Sequence, residues 1–318
     1  MRALVTGAAG FVGQWMCREL LQRGWDVTAT IFGDLPTGAL DPDERRVVRW
    51  VPTDLRRPEQ LGDAVDVAAP DAIVHLAGVA FVPAATADPG SAFEVNTVVA
   101  ARLLGEVRAR RAAGTLDPAV LVVGTGEQYG RHDDSEMPLA ESAEQRPQSV
   151  YAASKAAQEI AALEAWRTSG VRVLCTRSFN HSGPGQASSF LLPSLVARAL
   201  AARDSRQPTL SLGNTTPVRD FLHVADVVRA YALLVEKGAP GDVYNVASGR
   251  GTDVAALAAR VLAAAGVDAK LQIDSSLVRS ADVPVLIGDP RKLESATGWT
   301  PEHSLDSLID ELVRAASA

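Results

Sequence analysis

The chain has 318 residues, 47% of them apolar, and a formal net charge of −7. That is enough apolar sequence for a sizeable core in one large domain or two moderate ones, and too acidic a balance for general nucleic-acid binding, which needs a basic face. No apolar run approaches the roughly 18 residues of a membrane span.

The N-terminus shows no basic stretch leading into an apolar one, so no signal peptide is expected. Two scattered cysteines, Cys17 and Cys175, form neither a disulfide framework nor a metal cluster, and they read as small buried side chains. Both observations lead to the expectation of a cytoplasmic protein.

The spacing predicts a strand over residues 2–6, "RALVT". It is followed by a helix over 11–24, where Val12, Trp15, Met16, Leu20 and Leu21 fall near one face. Further strands are predicted at 25–31, 47–51, 72–78, 119–125, 171–177 and 242–248, most of them separated by helical patterns. Such alternation implies βαβ units, hence an α/β fold with a doubly wound parallel sheet covered on both faces. From about residue 179 the pattern turns irregular. The expected division is a dinucleotide-binding Rossmann domain over 1–178 and a smaller lobe over 179–318, with 223–248 returning to the first domain.

The turn "VTGAAGFVG" joins the first strand to the first helix. Gly7 suits a tight turn, Gly10 a close backbone approach to a pyrophosphate, and Gly13 close packing of helix on sheet. Phosphates would sit at the helix N-terminus, where free N–H groups favour negative charge. Phe11 and Val12 in the first helical turn join these glycines as cofactor-contact candidates, as do Leu55 and, after the fourth strand, Leu76 and Ala77. After the second strand, Ile31 and Phe32 stand where an NAD-selective chain carries an acid. The cofactor is therefore expected to be NADP(H) or NAD(H), without strict NAD selectivity. Asp54, after the third strand, either hydrogen-bonds the adenine amine or caps the next helix.

A helix is predicted over 149–166, with Tyr151 and Lys155 four residues apart on one face. An ammonium beside a phenol is expected to lower the tyrosine pKa and make it a proton-transfer group. Thr125, leaving the strand before it, can steer a substrate oxygen. Five histidines show no ligand spacing, so no metal is assigned.

Glycine-rich first turn, Thr125, then Tyr151 and Lys155 together resemble the extended short-chain dehydrogenase/reductase family, whose members act mostly on nucleotide sugars. The resemblance spans nearly the whole chain. It implies that Lys155 also contacts the nicotinamide ribose. It further implies a homodimer, in which helices near 90–113 and 149–167 pair as a four-helix bundle, with Ala152, Ala153, Ala156 and Ala157 permitting close approach. The loop "FNHSGPGQ" resembles that of GDP-6-deoxy-4-keto-mannose reductases, which form GDP-D-rhamnose. "VRSADVPVLIGDPRKL" resembles a segment these reductases share with GDP-mannose 4,6-dehydratases, except that Ser280 replaces a usual proline. By this resemblance Asn180, Arg219 and Arg279 would hold a diphosphate, and Asp282 would reach the nucleoside. His181 either touches substrate or bonds to backbone.

Glu127 leaves the reaction open. In nucleotide-sugar dehydratases the Thr-x-Glu unit orients the 4-oxygen and removes the C5 proton, whereas a plain reductase needs no such base. Gly126 stands where dTDP-glucose dehydratases have an acid. Loop and chain length favour reduction of the C4 ketone of GDP-4-keto-6-deoxy-D-mannose. A dehydratase or epimerase with tightly held coenzyme is the rival. A non-catalytic nucleotide sensor would have no use for the Thr125–Tyr151–Lys155 trio.

Overall fold

The computed structural model describes residues 1–205, 209–274 and 283–317. Its main sheet has seven parallel strands: β1 (Arg2–Thr6), β2 (Asp26–Ile31), β3 (Arg49–Pro52), β4 (Ala72–His75), β5 (Ala119–Thr125), β6 (Val173–Ser178) and, after three strands of other sheets, β10 (Val243–Val246). Their spatial order, β10-β6-β5-β4-β1-β2-β3, reverses direction between β1 and β4. This is a doubly wound Rossmann sheet, and the reversal opens a crevice at the carboxyl edge of the strands.

Alternate residues along each central strand feed opposite faces. In β1, Ala3 and Val5 join the core packed by helix Phe11–Gln22 and helix Val224–Lys237, while Leu4 joins the core packed by Pro58–Ala68 and Val99–Ala112. In β5, Leu121 and Val120 divide the same way. Burial on both faces is why these strands read as continuous apolar runs. Cys17 and Cys175 are free, buried thiols, and burial pushes Cys17 up to about 12.

Several boundaries differ from the sequence reading. The third strand starts at Arg49, because Pro42–Val47 is a helix closed by a capping box between Asp41 and Glu44. The helix expected near 90–113 is interrupted by a π turn, Glu94–Val98, which turns the buried Asn96 inward. Beyond β6, the strands β7 (Asn180–Ser182), β9 (Val218–His223), β11 (Gly251–Asp253) and β13 (Val285–Leu286) form a small sheet. The strands β8 (Thr209–Leu212) and β12 (Lys270–Ile273) pair beside it. A separate core gathers Leu195, Leu257, Val261, Ile309 and Leu312. Among the described residues, no helix is long and apolar enough to cross a membrane.

Candidate active site

The glycine turn sits at the reversal point. Gly7 has φ +69°, and a Cβ there would lie 2.6 Å from the Ala77 nitrogen. A Cβ on Gly13 would stand 2.3 Å from the Gly7 carbonyl oxygen, so only glycine lets the helix come down on the turn. Gly10 occupies the N-cap with no side chain covering the first turn. Phe11 and Val12 are half-buried in that turn, and Leu76 and Ala77 lie opposite, past the end of β4. Beneath them the Thr6 hydroxyl and His75 Nδ1 are 2.8 Å apart, and Ala77 N–H donates to the same hydroxyl at 3.3 Å. The Thr6 hydroxyl thus links the His75 ring to the Ala77 backbone. Burial pulls His75 down to about 3, so it stays neutral beside the Lys155 ammonium.

Asp54 does not cap the following helix, whose N-cap is Arg57. Its carboxylate instead accepts from Arg56 Nε and Nη2, both at 2.9 Å. The Arg56 guanidinium also lies over the exposed Phe32 ring, 5.5 Å from its centroid. An arginine thus stands near the carboxyl ends of β2 and β3, contributed by the turn after β3. Leu55 turns inward against the core.

Tyr151 and Lys155 share one face of helix Val150–Ser169, which Ser149 caps by accepting from Ala152 N–H at 3.0 Å. The Thr125 hydroxyl faces the Tyr151 phenol and favours its ionised form. Lys155 is buried and donates from Nζ to the Val123 carbonyl at 2.8 Å. Glu127 follows Thr125 by two residues, and its Oε2 accepts from the Ser149 hydroxyl at 3.5 Å. Thr125, Glu127, Tyr151 and Lys155 are thereby brought together at the end of β5.

The electrostatics differ from the sequence expectation. The Tyr151 phenol is shifted upward, by burial first and then by the Glu127 carboxylate, with the Thr125 hydroxyl opposing. The lowering anticipated from Lys155 does not prevail, because that ammonium is turned to the Val123 carbonyl. Lys155 itself is pulled down to about 8 by burial.

Asn180 and Arg219 come from neighbouring strands of the small sheet, with Asn180 paired to Phe221. Both are half-buried, and Arg219 Nη1 donates to the Val218 carbonyl at 2.9 Å. Arg279 and Asp282 lie outside the described residues. His181 hydrogen-bonds the Phe179 carbonyl through Nδ1 at 2.9 Å, the backbone alternative of the sequence reading. A Cβ on Gly126 would stand 3.0 Å from the Phe179 ring, so an acidic side chain there would need that ring to move.

Three neighbours of the site were missed. Asn96 accepts from Val79 N–H at 2.7 Å and donates to Ser154 at 2.8 Å, and a Cβ on Gly78 would fall between Asn96 and Lys155. Gln128 and Glu159 form a buried contact behind Thr125. Thr125-x-x-Gln128 has the spacing of a capping box, a signal that could have revealed Gln128. The π turn at Glu94–Val98 left no comparable trace.

Comparison with known proteins agrees with this fold. The family profile described as GDP-mannose 4,6 dehydratase matches residues 4–312. The chain belongs to that family, an extended short-chain dehydrogenase/reductase group. It is 34% identical to the GDP-6-deoxy-D-mannose reductase of Pseudomonas aeruginosa, over 97% of this chain and 94% of that one. Among solved structures it resembles RMD from Pseudomonas aeruginosa complexed with NADPH, with TM-score 0.83, 30% identity and 99% of both chains covered. It also resembles DesIV, a dTDP-glucose 4,6-dehydratase from Streptomyces venezuelae with NAD and TYD bound. That match has TM-score 0.84 and 29% identity, covering 100% of this chain and 97% of that one.

Proposed function

We propose that this protein uses NADPH or NADH to reduce the C4 ketone of GDP-4-keto-6-deoxy-D-mannose, giving GDP-D-rhamnose. The observation that carries the reading is the grouping of Thr125, Tyr151 and Lys155 at the end of β5, with the Tyr151 phenol held protonated by its surroundings. A protonated phenol suits donation to a ketone oxygen. The 34% identity to a GDP-6-deoxy-D-mannose reductase supports the substrate class.

The first turn fits a dinucleotide. Gly7, Gly10 and Gly13 leave backbone where any Cβ would crowd, and the N-terminus of a 12-residue helix opens toward the crevice without a side-chain cap. Phe11, Val12, Leu76 and Ala77 would flank the bound group, and Asp54 would reach the adenine end. When bound, the coenzyme supplies the hydride. Thr125 polarises the ketone, Tyr151 gives its proton to that oxygen, and the Lys155 ammonium stabilises the negative charge left on the phenol. Asn180 and Arg219 would hold the diphosphate, with Arg279 and Asp282 completing the nucleotide site. Glu127, a carboxylate already holding the Tyr151 phenol protonated, takes no proton in this reaction.

The second reading, dehydration of a GDP-hexose with Glu127 as the C5 base, is favoured by one observation: Glu127 stands beside both Thr125 and Tyr151. A two-arm assay separates them. One arm receives GDP-4-keto-6-deoxy-D-mannose with NADPH or NADH, the other GDP-mannose with no reductant. Stoichiometric coenzyme oxidation with GDP-rhamnose in the first arm is expected. A 4-keto-6-deoxy product in the second, with no net coenzyme change, would replace the first reading by the second.

The same reading includes a homodimer in which Val99–Ala112 and Val150–Ser169 pair with their copies as a four-helix bundle. Ile160, 64% exposed, and Val98, 40% exposed, support it. Ala152 and Ala156 are already buried within the protomer, so of the four alanines only Ala153 and Ala157 keep surface for such packing.

A further inference from the structure

Tyr151, Lys155 and Glu159 recur every fourth residue on one helix face, and each is tied to β5 or the turn after it. Tyr151 meets the Thr125 hydroxyl, Lys155 meets the Val123 carbonyl, and Glu159 Oε2 accepts from Gln128 Nε2 at 2.9 Å. The other end of the Gln128 amide, Oε1, accepts the Thr125 N–H at 2.8 Å. Arg177 grips Glu159 with two parallel bonds, Nε to Oε2 at 3.0 Å and Nη2 to Oε1 at 2.7 Å. Gln145 adds a second donor to Oε1 at 2.7 Å. Gln128, Glu159 and Arg177 are 0%, 3% and 5% exposed, so water does not compete for these bonds.

We propose that Gln128 and Glu159 are positioning residues that fix Thr125, and with it Glu127, against Tyr151. A carboxylate can only accept, so Glu159 dictates which end of the Gln128 amide faces it. The amide oxygen is then forced toward Thr125 N–H, which sets the direction in which the Thr125 hydroxyl leaves the strand. Because Glu159 and Tyr151 ride the same helix, the hydroxyl and the phenol are referred to one rigid element. Gly124 belongs to the device: a Cβ there would stand 2.3 Å from Gln128 Oε1 and 2.5 Å from the Thr176 carbonyl. A buried ion pair is weak evidence for stability, and a positioning role gives Glu159–Arg177 a reason to be present.

The kinetic side rests on the reductase reading, so the test has an arm that does not. Gln128→Met keeps the volume and removes the amide. The protein is labelled with 3-fluorotyrosine, which places four fluorines in the chain, and the Tyr151 resonance is assigned with Tyr151→Phe. In Gln128→Met the Tyr151 resonance should move while that of Tyr244 stays. On the keto sugar kcat should fall about tenfold, the loss expected for one buried hydrogen bond. KM and the coenzyme Kd should hold within about threefold of wild type, since the ground-state contacts are untouched. Leu312→Ala, in the core of the other lobe, serves as a control for general destabilisation. An unmoved Tyr151 resonance, an unchanged kcat, or an equal kcat loss in the control would each overturn the proposal. Should the wild type fail to turn over this sugar, the function reading fails, and the fluorine spectra alone decide the positioning role.

Discussion

Lys155 places a buried amine in the candidate site. Its ammonium is buried and faces a carbonyl rather than a carboxylate, so desolvation dominates and brings its pKa to about 8. The group is cationic below that value and neutral above it. If reduction needs the cation to stabilise the phenolate left by Tyr151, kcat/KM should decline above about pH 8. A pH–rate profile from 6 to 10 checks this, and a flat profile to pH 10 would contradict it. The same burial implies a trade-off. The fold disfavours the charged form, so Lys155→Met should raise stability at pH 7 on the order of 1–3 kcal/mol while nearly abolishing turnover. Thermal melts and initial rates on one preparation measure both.

The elements position these groups through close backbone approaches. Gly13→Ala would place a methyl against the Gly7 carbonyl and Ala8, neither of which is a flexible side chain. An overpacked site of this kind costs about 1–3 kcal/mol or more, and here the shift would also deform the turn. The expected result is a lower melting temperature together with weakened coenzyme binding in a fluorescence titration. Most strands of the main sheet were legible because burial on both faces leaves a continuous apolar run; the span of β5 was read to the residue. Boundaries failed where local chemistry intervened. The Asp41–Glu44 capping box turned Pro42–Val47 into helix, and the π turn at Glu94–Val98 has no sequence period of its own. Gln128, Glu159 and Arg177 escaped notice because they are 128, 159 and 177 in the chain yet meet behind one strand end.

Across the whole molecule, Asp226 joins distant parts of the chain. Fully buried near the start of helix Val224–Lys237, it accepts from the backbone N–H groups of Glu302 and His303 at 2.9 and 3.0 Å and from Arg229 at 2.9 Å. Burial opposes its charge, but these donors outweigh burial and hold its pKa below the ordinary value. With a depressed folded pKa, its stabilisation is present above the unfolded value of about 3.9 and is lost as pH falls through the lower folded value. Asp226→Ala leaves Arg229 and two amides without this partner and should cost about 3–5 kcal/mol near neutral pH. The difference from wild type should shrink in melts taken toward pH 3. On the outer surface, Ile160→Asp should convert the proposed dimer to a monomer in sedimentation velocity, by placing like charges across the bundle. An unchanged sedimentation coefficient would place the interface elsewhere.

The sequence by itself determined the alternation of strand and helix, the glycine turn and the order Thr125, Tyr151, Lys155. Each depends on local spacing, which is set by the period of the backbone. Tertiary structure decided what spacing cannot express. It turned the Tyr151 pKa upward, assigned Asp54 to Arg56 rather than to a helix cap, buried Ala152 and Ala156, and set Gln128 between Thr125 and Glu159. Those outcomes depend on desolvation and on contacts between residues far apart in the chain, and neither exists until the sheet has assembled.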